Sequence, residues 1–336
     1  MVLILGIEST AHTFGIGVVK DGKILSNVRD AYTTEHGGII PRDAAKHHEK
    51  VSGDVYRKAI DEAKIKESEI DAVAFSHGPG LPPCLLEGIK FAKRLSLRLK
   101  KPLVPVNHCV AHLEVGGSIK NALKDPVMLY TSGANTQIIA YSSGKYRIFG
   151  ETLDVGIGNF IDNFARYLGL GFPGGPKIEV LAKKGRNYVE LPYTVKGMDV
   201  ALSGILTNLR QKFESKKYRR EDLAYSMQET VFAMLVEVAE RALAHTGKKE
   251  LLLGGGVGCN KRLQKMCEIM CKERGARFFV PEKSVLVDNG AMIAFLGEIM
   301  FKSGVKFSGK EAEKLDIKPR QRTDEVEVLW KPTRKF

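Results

Sequence analysis

The stretch LGIESTAHT (residues 5–13) decides the fold, because the stretch MLYTSGANT (residues 128–136) repeats its pattern. Each is an apolar strand that ends in a small polar turn of the form Ser-x3-Thr, followed by a second apolar strand and a Gly-Lys hairpin turn. Two β-hairpins built alike, more than a hundred residues apart, predict two lobes with one plan. Backbone N–H groups in such turns would face a cleft between the lobes, an arrangement that suits phosphate.

Length and composition agree with a globular protein of two domains. The chain has 336 residues, of which 43% are hydrophobic and 27% charged, and no apolar run is long enough to span a membrane. The apolar N-terminus has no basic leader and soon meets Glu8, so we expect a buried strand and not a signal peptide. Five scattered cysteines argue against a disulfide framework and for a reducing cytoplasm.

The net charge of +13 favours a polyanionic partner such as nucleic acid, although a lysine-rich surface that only aids solubility explains it equally well. Two basic clusters stand out, one on a predicted helix and one between two predicted helices. Their members are Lys90, Lys93, Arg94, Arg98 and Lys101 in the first, and Lys212, Lys216, Lys217, Arg219 and Arg220 in the second. Few aromatic residues interleave with them in the sequence, so we expect phosphate contact without base stacking.

A candidate metal site begins with His108 and His112, which lie four residues apart. On a helix this spacing places both imidazoles on one face, where they form half of a divalent-metal site. Such a site needs oxygen ligands from elsewhere in the chain, and Asp288 is a good candidate. The spacing by itself is also common among the histidines of surface helices.

Two glycine-rich turns are candidate nucleotide contacts. Residues 254–260 follow an apolar strand and lead into a predicted helix, which is the place where nucleotides dock, and Asn260 would reach a ribose or adenine edge. Neither the G-x-G-x-x-G fingerprint nor a P-loop is present, so glycines that merely allow tight packing remain an alternative. Residues 169–176 precede Glu179 and offer backbone donors beside a carboxylate.

Longer motifs carry a resemblance to a known family. They are VNHCVAH (106–112), GIGNF (156–160), FPGGPKIE (172–179), YTVKGMD (193–199), QET (228–230) and DNGAMIA (288–294). With the first hairpin they resemble the tRNA threonylcarbamoyladenosine transferases, specifically the archaeal and eukaryotic catalytic subunit of the KEOPS complex, over residues 6 to about 322.

The resemblance implies an α/β protein with the two-lobed actin/Hsp70-type (ASKHA) ATPase fold. In that fold, duplicated RNase H-like domains enclose an interlobe nucleotide and metal cleft, in agreement with the repeated hairpin. We therefore predict lobe I at residues 1–126 with a returning C-terminal segment at 295–330, and lobe II at residues 127–294.

The resemblance also implies the chemistry. The threonylcarbamoyl group would pass from threonylcarbamoyl-adenylate to N6 of the adenosine immediately 3′ of the anticodon, in tRNAs that read codons beginning with A. The metal, iron by resemblance with zinc or manganese possible from the ligand types, would be held by His108, His112, Tyr130 and Asp288. The adenine nucleotide, ATP or the adenylate, would be bound by Thr131, Ser132, Gly133, Ala134, Asp162, Gly175, Glu179 and Asn260. Within this set, the backbone of residues 132–134 would hold the phosphate, and Asp162 and Glu179 would hold the ribose hydroxyls. The backbone of Gly175 would approach the nucleotide. Without the resemblance, helix capping or surface ion pairing would explain both carboxylates better.

The implied partners are tRNA, a kinase-like ATPase subunit and small adaptor subunits, in the cytoplasm and without a membrane. The sequence shows no kinase domain after the family motifs, so we expect the kinase to be a separate chain. We expect the chain alone to bind tRNA weakly.

The sequence departs from the family pattern at Pro82, Ala134 and Leu286, and at Val200-Ala201. Ala134 matters most, because a β-carbon restricts positive φ and would crowd a phosphate.

Two other function classes compete with the transferase. A zinc metallopeptidase of the H-E-x-x-H type needs a glutamate where this chain has Cys109. A small-molecule kinase or chaperone-type ATPase shares the fold and would also bind adenine nucleotides, so only the product formed on tRNA separates it from the transferase.

Overall fold

Two five-stranded sheets with the same strand order form the framework. The computed structural model describes residues 1–34, 38–118 and 123–331. The strands are β1 (Leu3–Glu8), β2 (Thr13–Lys20), β3 (Lys23–Ala31), β4 (Ala72–Gly78), β5 (Leu103–Asn107), β6 (Val127–Thr131), β7 (Thr136–Ser142), β8 (Lys145–Glu151), β9 (Val195–Lys196), β10 (Asp199–Val200), β11 (Glu250–Gly254) and β12 (Arg277–Phe279). The first sheet runs β3-β2-β1-β4-β5 and the second β8-β7-β6-β11-β12, while β9 and β10 form a separate small ladder.

The two sheets match strand for strand. In each, the first three strands form an antiparallel meander, and the last two lie parallel to the first strand. The predicted duplication is therefore confirmed at the level of topology.

Helices cover both sheets. They are α1 (Pro41–Ala63), α2 (Pro82–Leu99), α3 (His108–Ser118), α4 (Ile157–Tyr167), α5 (Gly175–Ala182), α6 (Ser203–Glu214), α7 (Arg220–Thr246), α8 (Lys261–Glu273), α9 (Lys283–Leu286), α10 (Gly290–Lys302) and α11 (Gly309–Lys314). Among the described residues, no helix combines the length and the apolar character needed to cross a membrane. Pro82, one of the departures from the family pattern, is the first residue of α2, where a missing backbone N–H costs nothing.

Strand β1 is buried along its whole length because both of its faces are covered. Leu3, Leu5 and Ile7 point to one face and join the core that includes residues of α1 and α2. Ile4 points to the other face and joins the core that includes residues of α10. The alternation follows from the two-residue period of a strand.

Helix α10 lies directly on the backbone of the first hairpin. A β-carbon at Gly17 would stand 2.3 Å from the amide nitrogen of Ala291, and one at Gly6 would stand 2.2 Å from that of Ala294. This contact fixes the entry to α10 and with it Asp288, two residues before the helix. Helix α10 spans the predicted boundary at residue 295, and the division into lobes at residues 126 and 294 stays a prediction.

We expect Gly17→Ala to destabilise the protein, because the added methyl group has no space against the backbone of α10. Overpacking of this kind costs about 1–3 kcal/mol, which a lowered thermal unfolding midpoint would report. Gly53→Ala is the matched control, since a β-carbon at Gly53 in α1 meets nothing within 4 Å. Equal midpoints for the two variants would contradict the close packing of α10.

The predicted basic face of α2 is largely engaged within the protein. Lys93 Nζ donates to the carbonyls of Glu313 and Leu315 at 2.8 and 2.7 Å, at the end of α11. Arg98 lies 3.0 Å from a carboxylate oxygen of Glu67 and stacks over the ring of Tyr56. These cations hold neighbouring elements together, and phosphate contact by this face of α2 stays a prediction.

Candidate metal and nucleotide site

Three of the predicted metal ligands come together in the structure. His108 and His112 lie on one face of α3, with ring centroids 4.8 Å apart, and both are buried. Asp288 Oδ1 lies 3.4 Å from His108 Nε2 and 3.3 Å from His112 Nε2. The potential ligand atoms of the three residues all lie within 4.8 Å of one another.

Asn107 holds the start of α3, the helix that carries both histidines. Its side-chain oxygen accepts the backbone N–H of Val110 at 3.1 Å, which satisfies one of the free donors of the first turn. Its amide nitrogen donates to Gln321 at 2.9 Å, so the C-terminal segment supports the same helix end.

Glu8 is a residue of the candidate site that the sequence analysis did not predict. It is fully buried at the end of β1, and its Oε2 lies 2.9 Å from His108 Nδ1. The other carboxylate oxygen accepts the backbone N–H of Thr10 at 2.7 Å and the Thr10 hydroxyl. The contact of Nδ1 with Glu8 leaves Nε2 as the nitrogen that faces Asp288, where a metal ion would replace the Nε2 proton. The available signal was a carboxylate at the end of an otherwise apolar, buried strand.

The charges of the cluster suit a divalent cation. Burial by itself would lower the pKa of His108, but the carboxylates of Glu8 and Asp288 raise it well above its usual value. Burial lowers the pKa of His112, so this imidazole is neutral. Burial would raise the pKa of Asp288, but the two histidines hold it well below its usual range. Two carboxylates against one imidazolium leave a negative surplus, which a cation in place of the Nε2 proton would neutralise.

Tyr130 completes the set of predicted ligands. It is fully buried at the end of β6, with its ring centroid 5.2 Å from that of His112. Within the described part of the chain its hydroxyl has no hydrogen-bond partner, and burial raises its pKa well above the usual value. A buried hydroxyl without a partner is costly, and a metal ligand is a role that would compensate it. Glu8 is the last residue of β1 and Tyr130 the last but one of β6, so both hairpins converge on this cluster.

The second hairpin turn offers two free backbone donors. Ser132 N–H is already donated to the carbonyl of Asn135 at 2.9 Å, so the expectation that it binds phosphate is corrected. Among the described residues, the N–H groups of Gly133 and Ala134 have no protein acceptor, and both residues are exposed. Ala134 does not have a positive φ, so its β-carbon does not strain the turn. Thr131 is buried and its hydroxyl donates to the carbonyl of Gly254 at 3.0 Å, which makes its side chain a support of the turn.

The GIGNF motif packs the start of α4 against this turn. The backbone N–H groups of Gly158 and Asn159 donate to the carbonyls of Ser132 and Gly133 at 3.0 and 2.9 Å. A β-carbon at Gly158 would lie 2.7 Å from the Cα of Gly133. The glycine in the motif is therefore needed for a close approach of two backbones.

We expect Gly158→Ala to weaken adenine-nucleotide binding, because the added methyl group displaces the turn that carries the free N–H groups. A displacement that costs about 1.4 kcal/mol in the bound state lowers the affinity roughly tenfold, which titration calorimetry with ATP would measure. The control is Gly204→Ala in α6, where a β-carbon meets nothing within 4 Å. An unchanged ATP affinity in Gly158→Ala would contradict a role of this turn in nucleotide binding.

The predicted ribose-binding residues lie around the start of α5. Asp162 Oδ1 accepts the backbone N–H of Gly174 at 2.7 Å, and burial raises the pKa of this carboxyl. A β-carbon at Gly175 would meet nothing within 4 Å, so its backbone borders open space. Glu179 Oε1 lies 3.3 Å from the backbone nitrogen of Lys261 at the start of α8. The cluster therefore faces the end of the glycine-rich turn at residues 254–260.

Asn260 has a role in the structure that sequence reasoning did not predict. Its side-chain oxygen accepts the N–H groups of Arg262 and Leu263 at 2.9 and 3.3 Å and thereby caps α8. Its amide nitrogen donates to Gln228 at 2.7 Å, so both ends of the side chain are engaged. Gly255 has φ 85°, and its β-carbon would stand 2.5 Å from the carbonyl oxygen of Thr131. Gly255 therefore allows the turn to pack closely against Thr131, which is the alternative to a nucleotide contact given by the sequence.

Leu286, another departure from the family pattern, is buried in α9. Its Cδ1 lies 3.5 Å from the place where Gly258 would carry a β-carbon. The leucine therefore packs as an apolar wall behind the glycine-rich turn.

Sequence comparisons point to one family. A family model described as tRNA N6-adenosine threonylcarbamoyltransferase matches residues 23–295. A protein of that description from Thermococcus sibiricus is 56% identical over 97% of this chain and 99% of its own length. One from Danio rerio is 49% identical over 98% of this chain and 100% of its own length. A probable bifunctional tRNA threonylcarbamoyladenosine biosynthesis protein from Methanosarcina mazei is 52% identical over 97% of this chain and 59% of its own length.

Structural comparisons confirm the predicted two-lobed fold. Full-length HypF in the phosphate- and nucleotide-bound form has a TM-score of 0.61 and 13% identity, over 89% of this chain and 56% of that one. Component A of (R)-2-hydroxyglutaryl-CoA dehydratase from Acidaminococcus fermentans has a TM-score of 0.53 and 14% identity, over 88% and 97%. At such identities the likeness concerns the fold alone.

Proposed function

This chain belongs to the tRNA N6-adenosine threonylcarbamoyltransferase family, and from that premise we propose its reaction, site and partners. The threonylcarbamoyl group of threonylcarbamoyl-adenylate is transferred to N6 of the adenosine immediately 3′ of the anticodon, in tRNAs that read codons beginning with A. The observation that carries the proposal is the convergence of Glu8 and Tyr130, one from each hairpin, on His108, His112 and Asp288.

The donor in this reaction is a mixed anhydride and is already activated, so the protein has to supply no nucleophile. The buried thiol beside the histidines agrees with this. Burial raises the pKa of Cys109, so the thiol stays protonated and is a poor nucleophile. The work left to the protein is to position the donor, to stabilise charge on the departing phosphate and to orient the acceptor.

His108, His112, Tyr130 and Asp288 would hold one divalent ion, with iron implied by the family resemblance and zinc or manganese compatible with the same ligands. Such an ion, when bound, supplies Lewis acidity toward a carbonyl or phosphate oxygen. Glu8 orients the His108 ring through its contact with Nδ1. The ion would also be a partner for the Tyr130 hydroxyl, which has none among the described residues.

The nucleotide is placed beside this cluster. The free N–H groups of Gly133 and Ala134 bind the phosphate of the adenylate or of ATP. Asp162 and Glu179 bind the ribose hydroxyls, and the open backbone at Gly175 lets the ribose approach. Asn260, held by its cap and by Gln228, lies at the nucleoside wall. Two structures with a similar fold support a nucleotide here, since HypF was solved in a phosphate- and nucleotide-bound form and the activator of 2-hydroxyisocaproyl-CoA dehydratase from Clostridium difficile with bound ADPNP.

The proposed setting is the cytoplasm, with a kinase-like ATPase subunit and small adaptor subunits of the KEOPS complex as partners. The decisive experiment is nucleoside mass spectrometry after incubation with tRNA, threonine, bicarbonate, ATP, the adenylate-forming enzyme and these partners. We expect threonylcarbamoyladenosine to form. ATP hydrolysis without this product would favour the chaperone-type or small-molecule kinase alternative. Comparable turnover by the isolated chain at matched salt would refute the dependence on partners.

A further inference from the structure

An exposed basic surface lies where α6 ends and α7 begins. We call it the α6–α7 basic edge. It consists of Arg210, Lys212, Lys216, Lys217, Arg219 and Arg220. Glu214 lies beside Arg210 at 2.8 Å and Glu221 beside Arg219 at 3.6 Å, and Asp222 follows directly. In the part of the chain that the structure describes, the side chains of Lys216 and Lys217 form no ion pair, so the edge keeps a surplus of positive charge.

Aromatic rings hold two of these cations in place. The guanidinium carbon of Arg210 lies 5.4 Å from the ring centroid of Tyr167, and Lys212 Nζ lies 5.1 Å from that of Tyr218. Both rings are more than one-third exposed. Such contacts fix the direction of a cation without burying it. Tyr167 lies 43 residues before Arg210, so this ring joins the cations only in the fold.

Helix α4 connects the basic edge to the candidate site. Arg220 donates to the carbonyl of Leu168, just after the end of α4, at 3.3 Å. The opposite end of α4 packs on the turn that carries the free N–H groups of Gly133 and Ala134. Helix α4 has 11 residues, so about 16 Å separate the turn from the basic edge. Arg166, exposed on the same helix, lies 3.4 Å from the position of a β-carbon at Gly38 and extends the line of cations toward the first lobe.

We propose that the α6–α7 basic edge binds the phosphate backbone of the tRNA stem while the acceptor adenosine occupies the site at the other end of α4. This inference rests on the proposed function for its choice of RNA. Lysine and arginine contacts to phosphates position a nucleic acid without reading its sequence, which is what a stem flanking a fixed target base requires. A protein partner fits less well, because the exposed rings are overlaid by cations and form no continuous apolar centre.

The test is a charge-neutralised variant, Lys212→Gln/Lys216→Gln/Lys217→Gln, with binding to unmodified tRNA measured by fluorescence anisotropy across a salt series. The matched control, Lys23→Gln/Lys310→Gln/Lys314→Gln, removes the same charge from exposed lysines of the first lobe region. We expect the affinity of the edge variant to fall at least tenfold at low salt. Each lost phosphate contact should also lower the magnitude of the salt slope by about 1. The control should match the wild type.

Wild-type affinity and salt slope in the edge variant would overturn the proposal. Retained tRNA binding together with lost assembly of the reconstituted complex would also overturn it and assign the edge to an acidic protein partner. A second readout separates this inference from the proposed function. If the wild type forms no modified nucleoside, the proposed function fails, whereas a variant-specific loss of tRNA binding still supports the edge. In an active complex, the variant should raise the KM for tRNA while its ATP affinity stays unchanged.

Discussion

His108→Ala should remove the bound metal and abolish threonylcarbamoyl transfer, the largest effect that we expect from a single substitution. The imidazole supplies one of three ligand atoms that lie within 4.8 Å of one another. Without it, only Asp288 and His112 of this group remain to bind the metal. Elemental analysis of the purified protein measures the occupancy, and nucleoside mass spectrometry measures the transfer. Full metal occupancy in the His108→Ala protein would rule this site out.

The comparison with Asp288→Ala separates metal loss from instability. Glu8 is fully buried and His108 is its charged partner, so removing the imidazole leaves a buried carboxylate with Thr10 alone. Breaking a buried pair from one side costs about 3–5 kcal/mol, and His108→Ala should unfold at a lower temperature than the wild type. Asp288 is partly exposed, so Asp288→Ala should lose the metal with a smaller loss of stability. The same unfolding midpoint for both variants would contradict the role given to Glu8.

Glu8→Gln should lower metal affinity about 10- to 100-fold, the effect typical of removing a carboxylate that orients a ligating histidine. The glutamine keeps the size of the side chain and can still accept the Nδ1 hydrogen of His108, but it lacks the charge that makes the ring a better ligand. Competition with a chelator measures the affinity, and excess metal should restore transfer to the variant.

A second buried carboxylate serves as the control for Glu8. Glu298 in α10 is also buried, accepts the backbone N–H of Gly22 at 3.0 Å and pairs with Lys302. Glu298→Gln therefore removes a buried charge far along the helix from the metal cluster. We expect it to keep wild-type resistance to the chelator. If Glu8→Gln behaved in the same way, the contact with His108 would not support metal binding.

Local patterns predicted most of the framework. The repeated Ser-x3-Thr hairpin predicted two sheets of one plan, and the structure has the same strand order in both. The spacing of His108 and His112 predicted a shared helix face, because helical geometry brings residues four apart together. Even the cap on α8 had a local signal, since asparagine before a helix commonly caps it, but a nucleotide role was assigned to Asn260 instead.

The contacts that sequence reasoning missed join residues far apart in the chain. Glu8 and His108 are 100 residues apart, and their contact requires β1 and the start of α3 to meet at one sheet edge. The ring of Tyr167 lies beneath Arg210 of the basic edge only after α4 and α6 have packed. No charged partner for Lys93 or Arg98 can be identified from the sequence. In the fold, Lys93 donates to a carbonyl at the end of α11 and Arg98 pairs with Glu67.

What the sequence by itself determined is the set of elements, their repeated order and the chemical types gathered for the site. Those follow from periodicity, turn residues and short spacings, each of which acts within a few residues of the chain. Only the tertiary structure decided which carboxylate orients His108, which turn amides remain free and which cations remain available. Each of those depends on burial and on the partners that the fold supplies, because a donor or a charge is available for a ligand only when no folded neighbour has already taken it.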